Sequence, residues 1–62
     1  MIKNADYIIY TLTKRPEQVI ILDSGTAQMA EIAKARSRLH RLTDGFVLNY
    51  RTVADKLHVW RA

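Results

Sequence analysis

The hydrophobic pattern of the first third of the chain predicts two β-strands. The segment from Tyr7 to Leu12 is dominated by Tyr, Ile and Thr, whose stiff or flat side chains suit a half-buried pleated surface. Pro16 follows, and its ring pre-sets the backbone angle that an early turn position needs. Val19 to Leu22 is a second β-branched run, and its continuous apolar character predicts burial on both faces. The two runs are close enough to form an antiparallel hairpin.

After the second run the spacing of apolar residues becomes helical. Ser24 or Thr26 can accept a hydrogen bond from a free amide of a first helical turn, so a helix is expected from about Thr26 to Leu42. Asp44 and Gly45 should end this helix, because glycine tolerates the left-handed conformation that satisfies the last carbonyls. The residues predicted to face the core share one side of the helical wheel: Gln28, Ile32, Ala35, Leu39 and Leu42.

Two further elements are expected after the helix. Phe46 to Tyr50 alternates its side chains between two faces, as a third strand does. The last ten residues fit two structures, since Leu57 to Arg61 alternates like a strand whereas Val53, Leu57 and Trp60 align at helical spacing. A strand is favoured, because the third strand needs a neighbour and a terminal helix of about nine residues is marginal.

These elements predict an α+β fold with the order β-β-α-β-β, in which one helix packs on a small antiparallel sheet and the last element is a strand or a short helix. The 62 residues leave room for a single domain, spanning residues 1–62. A chain of this size buries only about 60% of the surface that its unfolded form exposes, so self-association would add stability. We therefore expect a homodimer or another homo-oligomer.

Composition and charge narrow the class of protein. The chain has no cysteine, which excludes disulfides and thiolate metal sites and fits a reducing, cytoplasmic setting. The apolar run near the N-terminus is too short for a signal peptide or a membrane span, so no membrane partner is expected. The net charge of +4 favours association with nucleic acid or with an acidic protein.

The most suggestive candidate site is a row of basic residues on the outward side of the predicted helix. Lys34, Arg38 and Arg41, hereafter the cationic stripe, follow at the four- and three-residue steps that stack side chains on one helix face. Such groups can reach successive phosphates of a nucleic acid. An outward face must be polar in any case, and cations near a helix C-terminus favour its dipole, but the dipole does not account for Lys34 in mid-helix. Three more basic residues are expected to assist the stripe: Lys14, Arg15 and Arg51.

Both faces of the first predicted strand carry large apolar or aromatic residues. Tyr7 and Ile9 share one face, and Ile8 and Tyr10 share the other. A single helix can cover only one side of a sheet. The face with Tyr7 and Ile9 is therefore predicted to be an interface, either with another copy of the chain, with bases, or with a host protein.

The apolar run ending in Asp-Ser-Gly-Thr, residues 23–26, resembles the active-site loop of the pepsin-like and retroviral aspartic proteases. Those enzymes bring two aspartates from two such loops together to share one proton, whereas this chain has a single loop of this kind, with Asp23. The chain is also too short for the strands that each subunit of a dimeric enzyme needs. The loop is also similar to the phosphate loop of the actin and sugar-kinase fold, which requires two large lobes. A capped turn from a strand into a helix is the interpretation that we keep.

Catalytic machinery is not evident elsewhere. His40 and His58 are the only histidines, and without cysteine they cannot by themselves form a closed tetrahedral metal site. Neither has a serine or carboxylate at a spacing typical of a nucleophile and base pair. We therefore expect a non-catalytic binding protein without a cofactor. It would be a nucleic-acid-binding accessory or regulatory factor, or alternatively a protein-interaction module that docks on and modulates or inhibits a larger protein.

Overall fold

The computed structural model describes residues 1–42 and 45–62, and these form two helices and a three-stranded sheet. The element order is α-β-α-β-β, so the predicted order with one helix and four strands is wrong. The elements are α1 (Ala5–Lys14), β1 (Ile20–Asp23), α2 (Thr26–Leu42), β2 (Leu48–Val53) and β3 (Lys56–Arg61).

Helix α1 replaces the strand that was predicted from Tyr7 to Leu12. Its buried residues Ala5, Ile8 and Leu12 are spaced by three and four, which places them on one side of a helix. Asn4 caps the first turn, because its side-chain oxygen accepts a hydrogen bond of 2.9 Å from the amide of Tyr7. The β-branched composition was therefore outweighed by a cap and by a helical burial pattern.

The sheet has the strand order β1-β3-β2, and both of its pairings are antiparallel. The predicted hairpin between the first two runs does not exist, since β1 pairs with the last strand and follows a helix. Burial of β1 on both faces was also wrong, because Ile20 and Leu22 are buried whereas Ile21 is 60% exposed. The sheet therefore has one covered face and one open face.

The last element is a strand, as the sequence favoured. Strands β2 and β3 form a hairpin in which Val53 lies opposite Lys56, so the loop consists of Ala54 and Asp55 alone. Ala54 has a φ of 54°, a conformation that tight two-residue hairpin loops require and that glycine adopts more readily than alanine.

Helix α2 has the bounds that the sequence predicted, and Gln28, Ile32, Ala35 and Leu39 are buried as expected. Leu42 was expected in the core but is 72% exposed, because it lies in the last turn. Of the predicted helix stop, Asp44 lies outside the described residues, and Gly45 has the left-handed φ of 81° that glycine reaches without steric cost.

One hydrophobic core joins both helices to one face of the sheet. The buried strand residues Ile20, Leu22, Leu57 and Val59 belong to this face and cluster with the buried residues of α1 and α2. The opposite face, hereafter the outer face, has no covering element among the described residues and carries the cross-strand row Ile21, His58 and Arg51. Two helices thus stabilise a sheet that remains accessible on one side.

Polar side chains of α2 hold the start of α1 in place. The buried Gln28 amide bonds the backbone of Lys3 twice: its Oε1 accepts from the Lys3 amide at 2.9 Å, and its Nε2 donates to the Lys3 carbonyl at 2.8 Å. Glu31 accepts a further hydrogen bond of 2.9 Å from the amide of Ala5. The free amides of a helix N-terminus need such acceptors, so α2 completes the capping of α1.

Candidate functional site

A groove of about 440 Å³ lies between α2 and the segment that leads into and includes β2. On the helix side, Met29, Ala33, Arg36 and His40 line it, and their spacing of four, three and four residues places them on one side of α2. This row is adjacent to the core-facing residues, so its apolar members continue the core to the surface. Arg41, in the last turn, lines the same groove.

The strand side of the groove is largely apolar. Phe46, Val47 and Leu48 line it together with Tyr50, which is 39% exposed. The pairing register places Leu48 and Tyr50 on the helix-covered side of the sheet, opposite Arg61 and Val59 respectively. Because β2 is an edge strand, the groove opens beside a row of backbone groups that have no strand partner on that side in the described part of the chain.

The helix wall changes character along its length. Its N-terminal half is apolar, with Met29, Ile32 and Ala33, whereas its C-terminal half carries Arg36, Ser37, His40 and Arg41. No aspartate or glutamate is among the described residues that line the groove. Within the described ranges, neither Arg36 nor Arg41 makes an ion pair. The groove therefore combines an apolar surface with cationic groups that an anion could approach.

The three residues of the cationic stripe, Lys34, Arg38 and Arg41, border one shallow depression on the surface of α2. Two of its members have carboxylate partners, however. Lys34 lies 2.9 Å from Glu31, and Arg38 lies 2.7 Å from Asp6 of α1. Only Arg41 has no carboxylate within ion-pair distance among residues 1–42 and 45–62.

The other basic residues expected to assist the stripe lie on different surfaces. Lys14 and Arg15 are at the C-terminal end of α1, where they border a second depression with Tyr10, and the Lys14 ammonium lies 5.8 Å from the Tyr10 ring centre. Arg51 projects from the outer face of the sheet, opposite His58. The structure does not assemble the six predicted cations into one site.

The predicted interface residues Tyr7 and Ile9 do not share a face. They lie two positions apart on α1, which separates their directions by about 200° on a helix of 3.6 residues per turn. Ile9 is partly buried against the core, whereas Tyr7 is 42% exposed and stacks with the Lys3 ammonium at 4.9 Å. The strand face on which this interface was predicted is therefore absent.

Asp23, the candidate from the protease-like loop, ends β1 on the outer face and is paired with Lys56, the residue opposite it on β3. Its carboxylate also lies 3.7 Å from the N-terminal ammonium of Met1. The hydrogen bond to Lys56 and the positive charge of Lys56 lower the pKa of Asp23. In turn, the hydrogen bond to Asp23 and the negative charge of Asp23 raise the pKa of Lys56. These contacts support the interpretation as a structural turn.

The pKa of Glu31 is also lowered, chiefly by its hydrogen bond with Lys34 and then by the Ala5 amide. A carboxyl group whose pKa is lower in the folded than in the unfolded state stabilises the fold above its unfolded pKa and loses that contribution as the pH falls. We therefore expect unfolding by urea to become easier below the ordinary glutamate value of 4.5. Glu31→Gln should make this dependence on pH shallower.

The matched control is Glu17→Gln, which removes the same charge from an exposed position that makes no ion pair in the described part of the chain. Urea midpoints measured for both variants from neutral pH into acid check the expectation. An equal change of slope in the two variants would contradict it.

No binding role was predicted from the sequence for Arg36 or His40. The signal for the groove was present in the spacing of Met29, Ala33, Arg36 and His40, but the opposing wall comes from β2 and could not be located from the sequence. His58 lies on the outer face, away from His40, and the described residues contain no group of three potential metal ligands.

Neither described helix is both long and apolar enough to cross a bilayer. In comparisons with protein-family models, with curated proteins and with solved structures, the chain gives no significant match.

Proposed function

We propose that this chain is a non-catalytic binding module that recognises an acidic, partly apolar segment of a partner protein in the groove between α2 and β2. The observation that carries the proposal is the composition of the groove, an apolar surface bordered by Arg36, His40 and Arg41 and lined by no described carboxylate. Peptide-binding sites combine apolar contact area with a few polar groups that fix orientation, and complementary charge increases the rate and specificity of encounter.

A nucleic acid remains the second candidate for the basic surface. Its support is the cationic stripe, because the ion pairs of Lys34 and Arg38 are exposed and such pairs contribute only about 0 to 1 kcal/mol, so phosphates could replace the carboxylates. The acidic protein segment is preferred, because phosphate contacts dominate affinity for nucleic acids and make no use of the apolar half of the groove.

The proposal of a non-catalytic role is supported by the positions of the ionisable groups whose pKa values are shifted. Strongly shifted pKa values tend to cluster at active sites. Here the pKa values of Asp23, Glu31 and Lys56 are shifted, and these three groups form ion pairs outside the groove. Side-chain polar atoms that are buried in the described residues all have hydrogen-bond partners, so no strained polar cluster points to chemistry.

The test is a titration of the protein with a capped peptide that carries two glutamates and one valine at alternate positions, with threonine between them. Arg36→Gln combined with Arg41→Gln should weaken binding about tenfold, since each lost charge contact contributes up to about 1 kcal/mol. Dissociation constants from fluorescence anisotropy, and amide chemical shifts at Ala33 and Val47, provide the measurement.

Lys14→Gln combined with Arg15→Gln is the matched control, because it removes the same net charge from the end of α1 and should leave affinity within about twofold. Equal weakening by both double variants, or no saturable binding, would refute the groove. An oligonucleotide titrated in parallel decides the second candidate. Tight binding that falls steeply with salt and is lost in Lys34→Ala with Arg38→Ala would favour nucleic acid.

A further inference from the structure

Resting on the proposed function, we propose that the partner segment binds as an additional β-strand on the free edge of β2, with its alternate side chains directed into the groove. Strand β2 is an outer strand of the sheet. It pairs with β3 on one side, and no strand formed by residues 1–42 or 45–62 pairs with it on the other. Its outward amides and carbonyls are therefore available to an extended segment.

The composition of β2 does not block such pairing. Edge strands that resist pairing commonly carry proline, lysine, bulges or inward-pointing charges. The six residues from Leu48 to Val53 include one charged side chain, Arg51, and it points to the outer face. The register with β3 runs without a bulge from Leu48 to Val53. A regular edge of this length can template another strand.

The dimensions of the groove fit a short strand. From Met29 to Arg41 the helix wall extends over twelve residue steps, which corresponds to about 18 Å at 1.5 Å per residue. A strand rises about 3.4 Å per residue, so about five residues of the partner span the groove. Three of these, at alternate positions, point towards the helix wall.

The change in character of the helix wall defines those three side chains. Next to Met29 and Ala33 the partner needs an apolar side chain, and next to Arg36, His40 and Arg41 it needs carboxylates. The bound segment is therefore an extended one in which same-side positions carry two acidic residues and one apolar residue. The two positions between them face the open side of the sheet and carry no such requirement.

A second copy of the chain is a poorer occupant of this edge. Each chain has a net charge of +4, and pairing of two β2 strands would bring Arg51 and the groove cations of both copies together. Like charges opposite each other destabilise paired strands. Charge complementarity therefore favours an acidic segment from another protein.

The experiment uses capped peptides with the core Glu-Thr-Glu-Thr-Val and with the reverse order, because a strand can add in either direction. The sequence order that binds more tightly is then made as two derivatives, one methylated on the odd-numbered and one on the even-numbered backbone nitrogens. Only one of these two sets of amides points towards β2. The derivative that is methylated on this set should bind at least about tenfold more weakly than the parent peptide, whereas the other should bind within about threefold of it.

Hydrogen exchange of the full-length protein provides a second readout. The amides of β2 that are not bonded to β3 should gain protection on saturation with the parent peptide. Equal affinity of both methylated derivatives, together with unchanged exchange along β2, would overturn strand addition. If Arg36→Gln with Arg41→Gln still weakens binding of the parent peptide in that case, the groove remains the binding site. Protection of β2 in the free protein that rises with protein concentration would instead identify a second copy as the occupant and also overturn the inference.

Discussion

Leu57→Ala is expected to lower the free energy of unfolding of the domain by about 2 to 5 kcal/mol. Leu57 is 1% exposed on the central strand β3, where it lies between Leu22 of β1 and Thr52 of β2. Replacing a buried leucine by alanine costs about 2 to 5 kcal/mol, because apolar contacts are lost and a cavity remains. A domain of this length has about 3 to 9 kcal/mol of stability in total, so the substitution removes a large share of it.

Urea unfolding followed by circular dichroism measures this loss, and Ile21→Ala serves as its control. Ile21 is a residue of similar size in the same sheet, but it lies on the outer face and is 60% exposed. We expect that variant to lose about 0.5 kcal/mol or less, as surface substitutions usually do. Similar losses for both variants would mean that the outer face is covered in solution, and the description of the core as one-sided would be wrong.

Gln28→Met is expected to destabilise the domain by about 1 to 3 kcal/mol, the typical cost of leaving buried polar groups without partners. Methionine fills a similar volume but cannot bond the amide and carbonyl of Lys3, which Gln28 satisfies at 2.9 and 2.8 Å. The start of α1 should detach first, because those two bonds join segments that are 25 residues apart.

Amide hydrogen exchange distinguishes this loss from a general loosening. The amides of Lys3 and Ala5 should exchange much faster in Gln28→Met, whereas exchange of the β3 amides should become faster only in proportion to the loss of global stability. Gln18→Met is the control, since Gln18 lies in the segment between α1 and β1 and its side chain has no hydrogen bond within the described residues. Equal exchange rates of the Lys3 amide in the two variants would show that the Gln28 hydrogen bonds do not stabilise the start of α1.

The helix α2 could be predicted from the sequence because its periodicity is long and its start and end signals agree. The strand over residues 56–61 could be favoured for a related reason, since β2 required a neighbour. The segment from Tyr7 to Leu12 was misread because residue composition favours a strand there, while its helix depends on Asn4, Ala5 and the acceptor Glu31 on a distant element. Composition describes a local preference, and tertiary contacts overrode it.

The candidate site could be predicted only in part. The exposure of Lys34, Arg38 and Arg41 follows from the wheel of a single helix, so that placement was within reach. The partner of Arg38 is Asp6, which is 32 residues away in the sequence and lies on a segment predicted as a strand. A groove between two elements can be predicted only when the positions of both elements are known. The sheet order β1-β3-β2, which places β2 at the edge, could not be derived from the residue pattern of any single strand.

The described residues that line the groove lie between Met29 and Tyr50, and none of them belongs to α1 or β1. The groove is thus built from a different part of the sequence than these two elements. Because the protein has no cysteine, a single thiol introduced at the exposed Tyr10 would be a unique attachment point on a surface that shares no residue with the groove. A fluorophore or an immobilising tether placed there would leave the proposed binding groove unobstructed.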